Sequence, residues 1–102
     1  SRGQSVVVAL KIIDLQNVIN IPLVLHGSSG IGNAMRRKIA KTTNVAKFNI
    51  GTELRLIFGN SLRANILQDK DVFDRLKILK PTIKEIKKVA MKVILNIGPV
   101  NE

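Results

Sequence analysis

The one histidine of this chain stands at the end of a short apolar run, directly before a turn of glycines and serines. The stretch Ile21–Met35 reads IPLVLHGSSGIGNAM, and His26 follows the apolar residues 23–25. A histidine in such a place is a hydrogen-bonded core side chain, a general base or a metal ligand. A catalytic zinc usually takes three protein ligands, and the chain has no second histidine and no cysteine. A metal at His26 would therefore need ligands from outside this sequence.

Two short turns have the composition of phosphate-binding loops. Residues 27–30 read GSSG before a predicted helix, so backbone N–H groups, hydroxyls and the positive end of the helix dipole can converge on an anion. Residues 49–53, NIGTE, repeat the device, with Thr52 able to cap its helix or donate to a phosphate oxygen. Ordinary turns and caps have the same composition, but two of them after successive strands favour phosphate. Neither turn matches the P-loop or the dinucleotide-binding motif.

These residues need elements that bring the two turns together. An order of helix, strand, helix, strand and two further helices is typical of a parallel α/β protein, in which ligands collect at the carboxyl ends of the strands. Arg36, Arg37 and Lys38 are expected to form a solvated helix face, and Pro81 to lie in the first turn of the last helix. The predicted helices are 5–18, with apolar residues at Leu10, Ile13 and Val18, then 33 to about 44, 53–67 and 81–97. The predicted strands are 23–25, of the kind that is covered on both faces, and 45–50. Residues 68–75 are predicted to form a loop.

Composition sets broad limits on size, partners and location. The 102 residues suit one small domain or a part of one. Seventeen Lys and Arg against seven Asp and Glu give a net charge of +10, which attracts phosphates, nucleic acid or an anionic surface without choosing among them. No apolar run reaches membrane-spanning length, so no membrane partner is expected. The lack of cysteine agrees with a cytoplasmic location.

The two strand ends together resemble the C-terminal part of the class II, metal-dependent fructose- and tagatose-bisphosphate aldolases. The resemblance runs from about residue 10 to 97 and implies a (β/α)8 TIM barrel, which takes about 250 residues. Residues 1–102 would be a single partial domain of that barrel: strands 7 and 8 with their helices, plus the terminal helix. The matching stretches are IPLVLHGSSGI (Ile21–Ile31), VAKFNIGTELRLIF (Val45–Phe58), SLR (Ser61–Arg63) and LKPTIKEIKKVAMKVI (Leu79–Ile94).

The resemblance also implies roles for individual residues. His26 matches one of three zinc ligands, so this chain would supply one ligand of three for Zn²⁺. Asn49 would contact the reacting ketose and is the catalytic candidate. The substrate-binding candidates, which would hold dihydroxyacetone phosphate, are Gly27, Ser28 and Ser29 in the first turn and Asn49, Ile50, Gly51 and Thr52 in the second.

The implied reaction is reversible aldol cleavage of fructose or tagatose 1,6-bisphosphate, a glycolytic type of step that yields dihydroxyacetone phosphate and glyceraldehyde 3-phosphate. Zinc would polarise the ketone oxygen. The other two zinc histidines and a catalytic aspartate lie upstream of this chain in the family, so the isolated chain is expected to be inactive. After Ile31 the family has proline and an acidic first turn, whereas this chain has Gly32 and then Arg36-Arg37, which should cost that helix a favourable dipole pairing.

The expected partners are the phosphorylated sugar and either further copies of the chain or the missing N-terminal part of the barrel. Nucleic acid is not expected, because the lysine-rich terminal helix has no aromatic side chain for base stacking. Two alternatives stay open: a non-catalytic basic module that binds polyanions, and a truncated remnant without a function of its own.

Overall fold

A computed structural model describes residues 2–27 and 30–99, with side chains from residue 8 onward. Within these residues the chain is mixed α/β, as predicted. It forms two compact units. The first unit comprises Ser1–Ile50 and Ile94–Glu102, and the second unit comprises Gly51–Val93. The elements in chain order are α1 (Arg2–Val18), β1 (Leu23–Leu25), α2 (Asn33–Thr42), β2 (Val45–Phe48), α3 (Thr52–Gln68) and α4 (Arg75–Ile97).

The two strands pair in parallel as a two-stranded sheet. Leu23 lies opposite Val45 and Leu25 opposite Phe48, with an irregularity after Leu23. The second strand ends at Phe48, two residues earlier than predicted. Val24 is 50% exposed, so the residues described do not cover β1 on both faces. The residues described cover one face of the strand and leave the other open.

The first unit has a small aliphatic core between α1, α2 and the sheet. The buried cluster consists of Ile12, Ile31, Ile39 and Val45. Helix α1 contains the predicted helix 5–18. Ile12 enters the core, whereas Leu10, Ile13 and Val18 are exposed, Val18 at 84%. Helix α1 has apolar residues on more than one side. The side that contains Ile12 packs against α2 and the sheet.

The second unit pairs α3 with the greater part of α4. The side-chain amide of Asn65 donates to the carbonyl of Ile78 at 3.2 Å, which ties the two helices together. Helix α4 begins at Arg75, so the prediction that it starts at Pro81 is wrong. Asp74 explains the earlier start, since its carboxylate accepts the backbone N–H of Leu76 at 2.9 Å and caps the helix. Pro81 therefore lies inside α4.

No helix in the described part of the chain combines the length and the apolar character needed to cross a membrane.

Candidate functional site

The carboxyl ends of β1 and β2 bring His26 and Asn49 into contact. Leu25 and Phe48 are register partners, so the next residue of each strand lies at the same edge of the sheet. The backbone N–H of Asn49 donates to the carbonyl of Leu25 at 3.0 Å. The side-chain Nδ2 of Asn49 lies 2.7 Å from Nδ1 of His26. The predicted metal ligand and the predicted catalytic residue are thus neighbours, in a place where the ring of His26 is exposed.

The orientation of the Asn49 amide and the position of the proton on the His26 ring depend on each other. An amide nitrogen only donates, so Nδ1 accepts, and the single proton of a neutral imidazole is then on Nε2. A nitrogen that binds a metal must present a lone pair instead. Binding through Nε2 would require the proton to move to Nδ1 and the amide of Asn49 to turn its oxygen toward the ring.

The turn after β1 begins with a left-handed glycine. Gly27 has a φ of 65°, a conformation that L side chains rarely adopt. Ser28 and Ser29, the predicted phosphate ligands of this turn, lie outside the described residues. Beyond the turn Ile31 is buried in the core cluster, which anchors the start of α2. The left-handed backbone conformation at position 27 therefore explains why a glycine is found there.

The second predicted loop leads directly into α3. Gly51 is the N-cap residue, Thr52 is the first helical residue, and the half-buried Ile50 joins them to Asn49. The hydroxyl oxygen of Thr52 accepts a hydrogen bond from the guanidinium of Arg55 at 3.2 Å and does not cap the helix. Its proton remains available for an acceptor. Sequence reasoning missed Arg55, although its position three residues after Thr52 puts both on one helix face.

The first turn of α2 differs from the sequence prediction. Arg36 is only 1% exposed, so the expectation of a solvated face is wrong for this residue. Its Nε donates to the side-chain oxygen of Asn96 at 3.1 Å and its Nη2 to that of Asn33 at 2.6 Å. The amide of Asn96 in turn donates to the carbonyl of Asn33 at 2.9 Å. These three side chains join the start of α2 to the end of α4.

Arg37 adds a second link between the same two helix ends. Its Nη1 donates to the carbonyls of Leu95 and Asn96, each at 3.1 Å. Both are among the last carbonyls of α4, which lack partners within their own helix and carry the negative end of its dipole. Arg37 therefore places a positive charge at the C-terminal end of α4, where the helix dipole favours it.

The described residues do not by themselves fit a zinc ion. They contain no group of three or more His, Cys, Asp or Glu side chains that could hold a metal. His26 supplies one imidazole, and its Nδ1 lies 2.7 Å from the amide nitrogen of Asn49. One ligand is too few for a protein zinc site.

The fold and the site define an α/β protein whose candidate functional side chains meet at the carboxyl edge of a parallel sheet. The sequence model of class II fructose-bisphosphate aldolases matches residues 6–102. A fructose-bisphosphate aldolase of Ureaplasma parvum serovar 3 is 32% identical over 96 residues, which cover 87% of this chain and 32% of that protein. The chain belongs to the class II fructose-bisphosphate aldolase family, which confirms the resemblance. It spans about a third of the length of this curated relative.

Proposed function

We propose that this chain is the C-terminal segment of a class II ketose-bisphosphate aldolase and forms one part of its active site. Residues 1–102 are then a single partial domain that supplies strands 7 and 8, their helices and the terminal helix of a TIM barrel. Two findings support this: the family match over residues 6–102 and the relative that is about three times as long. The substrate is fructose or tagatose 1,6-bisphosphate, and the enzyme acts in the cytoplasm in glycolysis.

The contact between His26 and Asn49 carries this proposal. It places a histidine, a residue that can bind a metal, beside an asparagine, a residue that can bind a polar substrate. Both lie at the carboxyl ends of the strands, where parallel α/β enzymes bind their substrates. His26 is one of three zinc ligands, and the other two come from chain outside these residues. Asn49 orients the ring of His26 and contacts the ketose.

The two turns hold the phosphate of the dihydroxyacetone phosphate moiety. The left-handed Gly27 starts the first turn, and Ser28 and Ser29 are proposed to donate their N–H and hydroxyl groups to phosphate oxygens. In the second turn the N–H of Gly51 and the hydroxyl of Thr52 donate to the phosphate. The guanidinium of Arg55, hydrogen-bonded to the Thr52 oxygen, adds positive charge there.

The partner of this chain is the N-terminal part of the barrel. Both strands have an unpaired edge in the described two-stranded sheet, and such edges pair readily with further strands. Large apolar residues near β1 are also exposed, including Ile21 and Val24. A preceding barrel segment would cover them.

A chimera tests the proposed function. The last third of the Ureaplasma parvum aldolase is replaced by this chain, and fructose 1,6-bisphosphate cleavage is measured in a coupled assay with zinc. We expect a zinc-dependent activity that His26→Ala lowers by at least about 100-fold, because the metal loses one of three ligands. Lys38→Ala, on the exposed side of α2, is the matched control and should leave the rate unchanged. A folded, active chimera that is indifferent to His26→Ala would refute the ligand role. The 102-residue chain alone should not cleave the substrate.

A further inference from the structure

Helix α4 carries six lysines on one side, and all of them are exposed. At about 100° per residue they fall within an arc of about 140°, and at about 1.5 Å per residue they extend over about 22 Å. All lie within the unit Gly51–Val93, so their arrangement follows from one helix. We call this surface the lysine face; it consists of Lys77, Lys80, Lys84, Lys87, Lys88 and Lys92.

The lysine face has one acidic residue on its own helix. Glu85 is the one acidic residue of α4, and it pairs with Lys88 at 3.2 Å. Both side chains of this pair are exposed, so water screens their attraction. Within residues 2–27 and 30–99 no other ion pair involves the lysine face. The six lysines outnumber this one glutamate, so the surface is positive, on a chain whose net charge is +10.

This distribution of charge is unfavourable for the helix itself. Lysines three and four positions apart are neighbours on a helix surface, and like charges at that spacing destabilise it. The face contains five such pairs, which are 77 with 80, 80 with 84, 84 with 87, 84 with 88, and 88 with 92. The side of α4 that packs contains the buried Thr82 and Val93 and does not need these lysines. A polyanion that neutralises the face would relieve the repulsion.

We propose that the lysine face binds the phosphate backbone of a nucleic-acid duplex without reading its sequence. Neighbouring lysines are about 5–6 Å apart on the helix, and a duplex carries one negative charge per about 1.7 Å of its axis, or about 13 charges over the length of the face. Helix α4 has no Phe, Tyr or Trp. It therefore lacks stacking platforms for single strands and aromatic anchors for a membrane interface, but backbone contact needs neither.

Binding of the full 102-residue chain to fluorescein-labelled 20-bp DNA duplexes tests this inference by fluorescence anisotropy across a NaCl series. Four to six phosphate contacts predict a slope of log K against log[NaCl] of about −4 to −5. Two duplexes of unrelated sequence should bind within about twofold of each other, because backbone contacts carry no sequence information. Tighter binding to phosphatidylserine vesicles than to the duplexes would overturn the proposal, as would a strong preference for one duplex.

Two variants with the same net charge distinguish binding at the lysine face from a general effect of the net charge. Replacing residues 80, 84, 87 and 88 with glutamine should weaken binding by at least about 100-fold and flatten the slope by about 3.6. The control replaces the exposed Lys11, Lys38, Lys41 and Lys70 with glutamine and should stay within about threefold of the wild type. Replacing the same four lysines of the face with arginine should preserve binding, and circular dichroism checks the helix content. Equal losses in the two glutamine variants would overturn the assignment to the face.

Discussion

At the scale of single residues, the contact with Asn49 predicts which of its two neutral forms His26 adopts. Since an amide nitrogen faces Nδ1 at 2.7 Å, neutral His26 should carry its proton on Nε2. Asn49→Asp replaces the donor with a carboxylate that only accepts, so the proton should move to Nδ1 and leave Nε2 free for a ligand. Long-range ¹H–¹⁵N correlation spectra of the chain at alkaline pH distinguish the two forms.

The control for this prediction puts the same negative charge at the other end of the sheet. Asn44 precedes β2, where its backbone carbonyl accepts the N–H of Leu23 at 2.7 Å. Asn44→Asp should therefore leave the proton of His26 on Nε2. A wild-type spectrum with the proton on Nδ1 would contradict the prediction and would mean that the oxygen of Asn49 faces the ring.

The sequence predicted that His26 and Asn49 lie at one edge of the sheet, but it did not predict that Arg36 is buried. His26 and Asn49 each follow a parallel strand, and the carboxyl ends of adjacent parallel strands share an edge, so local pattern was sufficient. One partner of Arg36 is Asn96, which lies sixty residues further along the chain, so no local sequence pattern links the two residues. Arg36 therefore looked like any solvated arginine in a basic run.

At the scale of elements, Arg36 joins the start of α2 to the end of α4. Arg36→Met keeps the aliphatic stem but removes hydrogen bonds to Asn33 and Asn96 at a site that is nearly inaccessible to water. We expect the free energy of unfolding to fall by about 2–3 kcal/mol, because hydrogen bonds that involve a charged group are the stronger ones and the change removes two of them. Urea unfolding followed by circular dichroism measures the change.

Lys38→Met is the matched change, since Lys38 lies on the same helix but is exposed. Its effect should stay within about 0.5 kcal/mol. Asn96→Ala should reproduce most of the loss of Arg36→Met, and the double variant should lose less than the sum, because both residues belong to one network. Equal effects of Arg36→Met and Lys38→Met would show that the link between the helices contributes nothing.

Elements were predictable from the sequence where one periodicity dominates. The strand at 23–25 and the helices at 33–42 and 52–68 formed close to their predicted bounds. The start of α4 was missed because Asp74 caps it in a charged segment that was read as a loop, while Pro81 looked like a first-turn residue. Helix caps depend on a single side chain and backbone N–H, so apolar spacing does not reveal them.

At the scale of the whole molecule, exposed apolar surface and net charge act in opposite directions. Several large apolar side chains are exposed, among them Phe73 at 94% and Val18 at 84%. Such surface promotes association with other chains. The net charge of +10 opposes association between copies, over a range of about 30 Å at 0.01 M salt but only about 10 Å at 0.1 M.

Salt should therefore move the two kinds of association of this chain in opposite directions. Between about 0.01 and 0.3 M NaCl, self-association should increase, because salt screens the repulsion and leaves the apolar contacts intact, as measured by sedimentation velocity. Binding to a duplex should weaken over the same range, because it depends on counterion release. Phe73→Ser should reduce self-association, whereas Asn20→Ser, at an exposed polar site, should not. Self-association that decreased with salt would mean that charges, and not the exposed apolar side chains, hold the copies together.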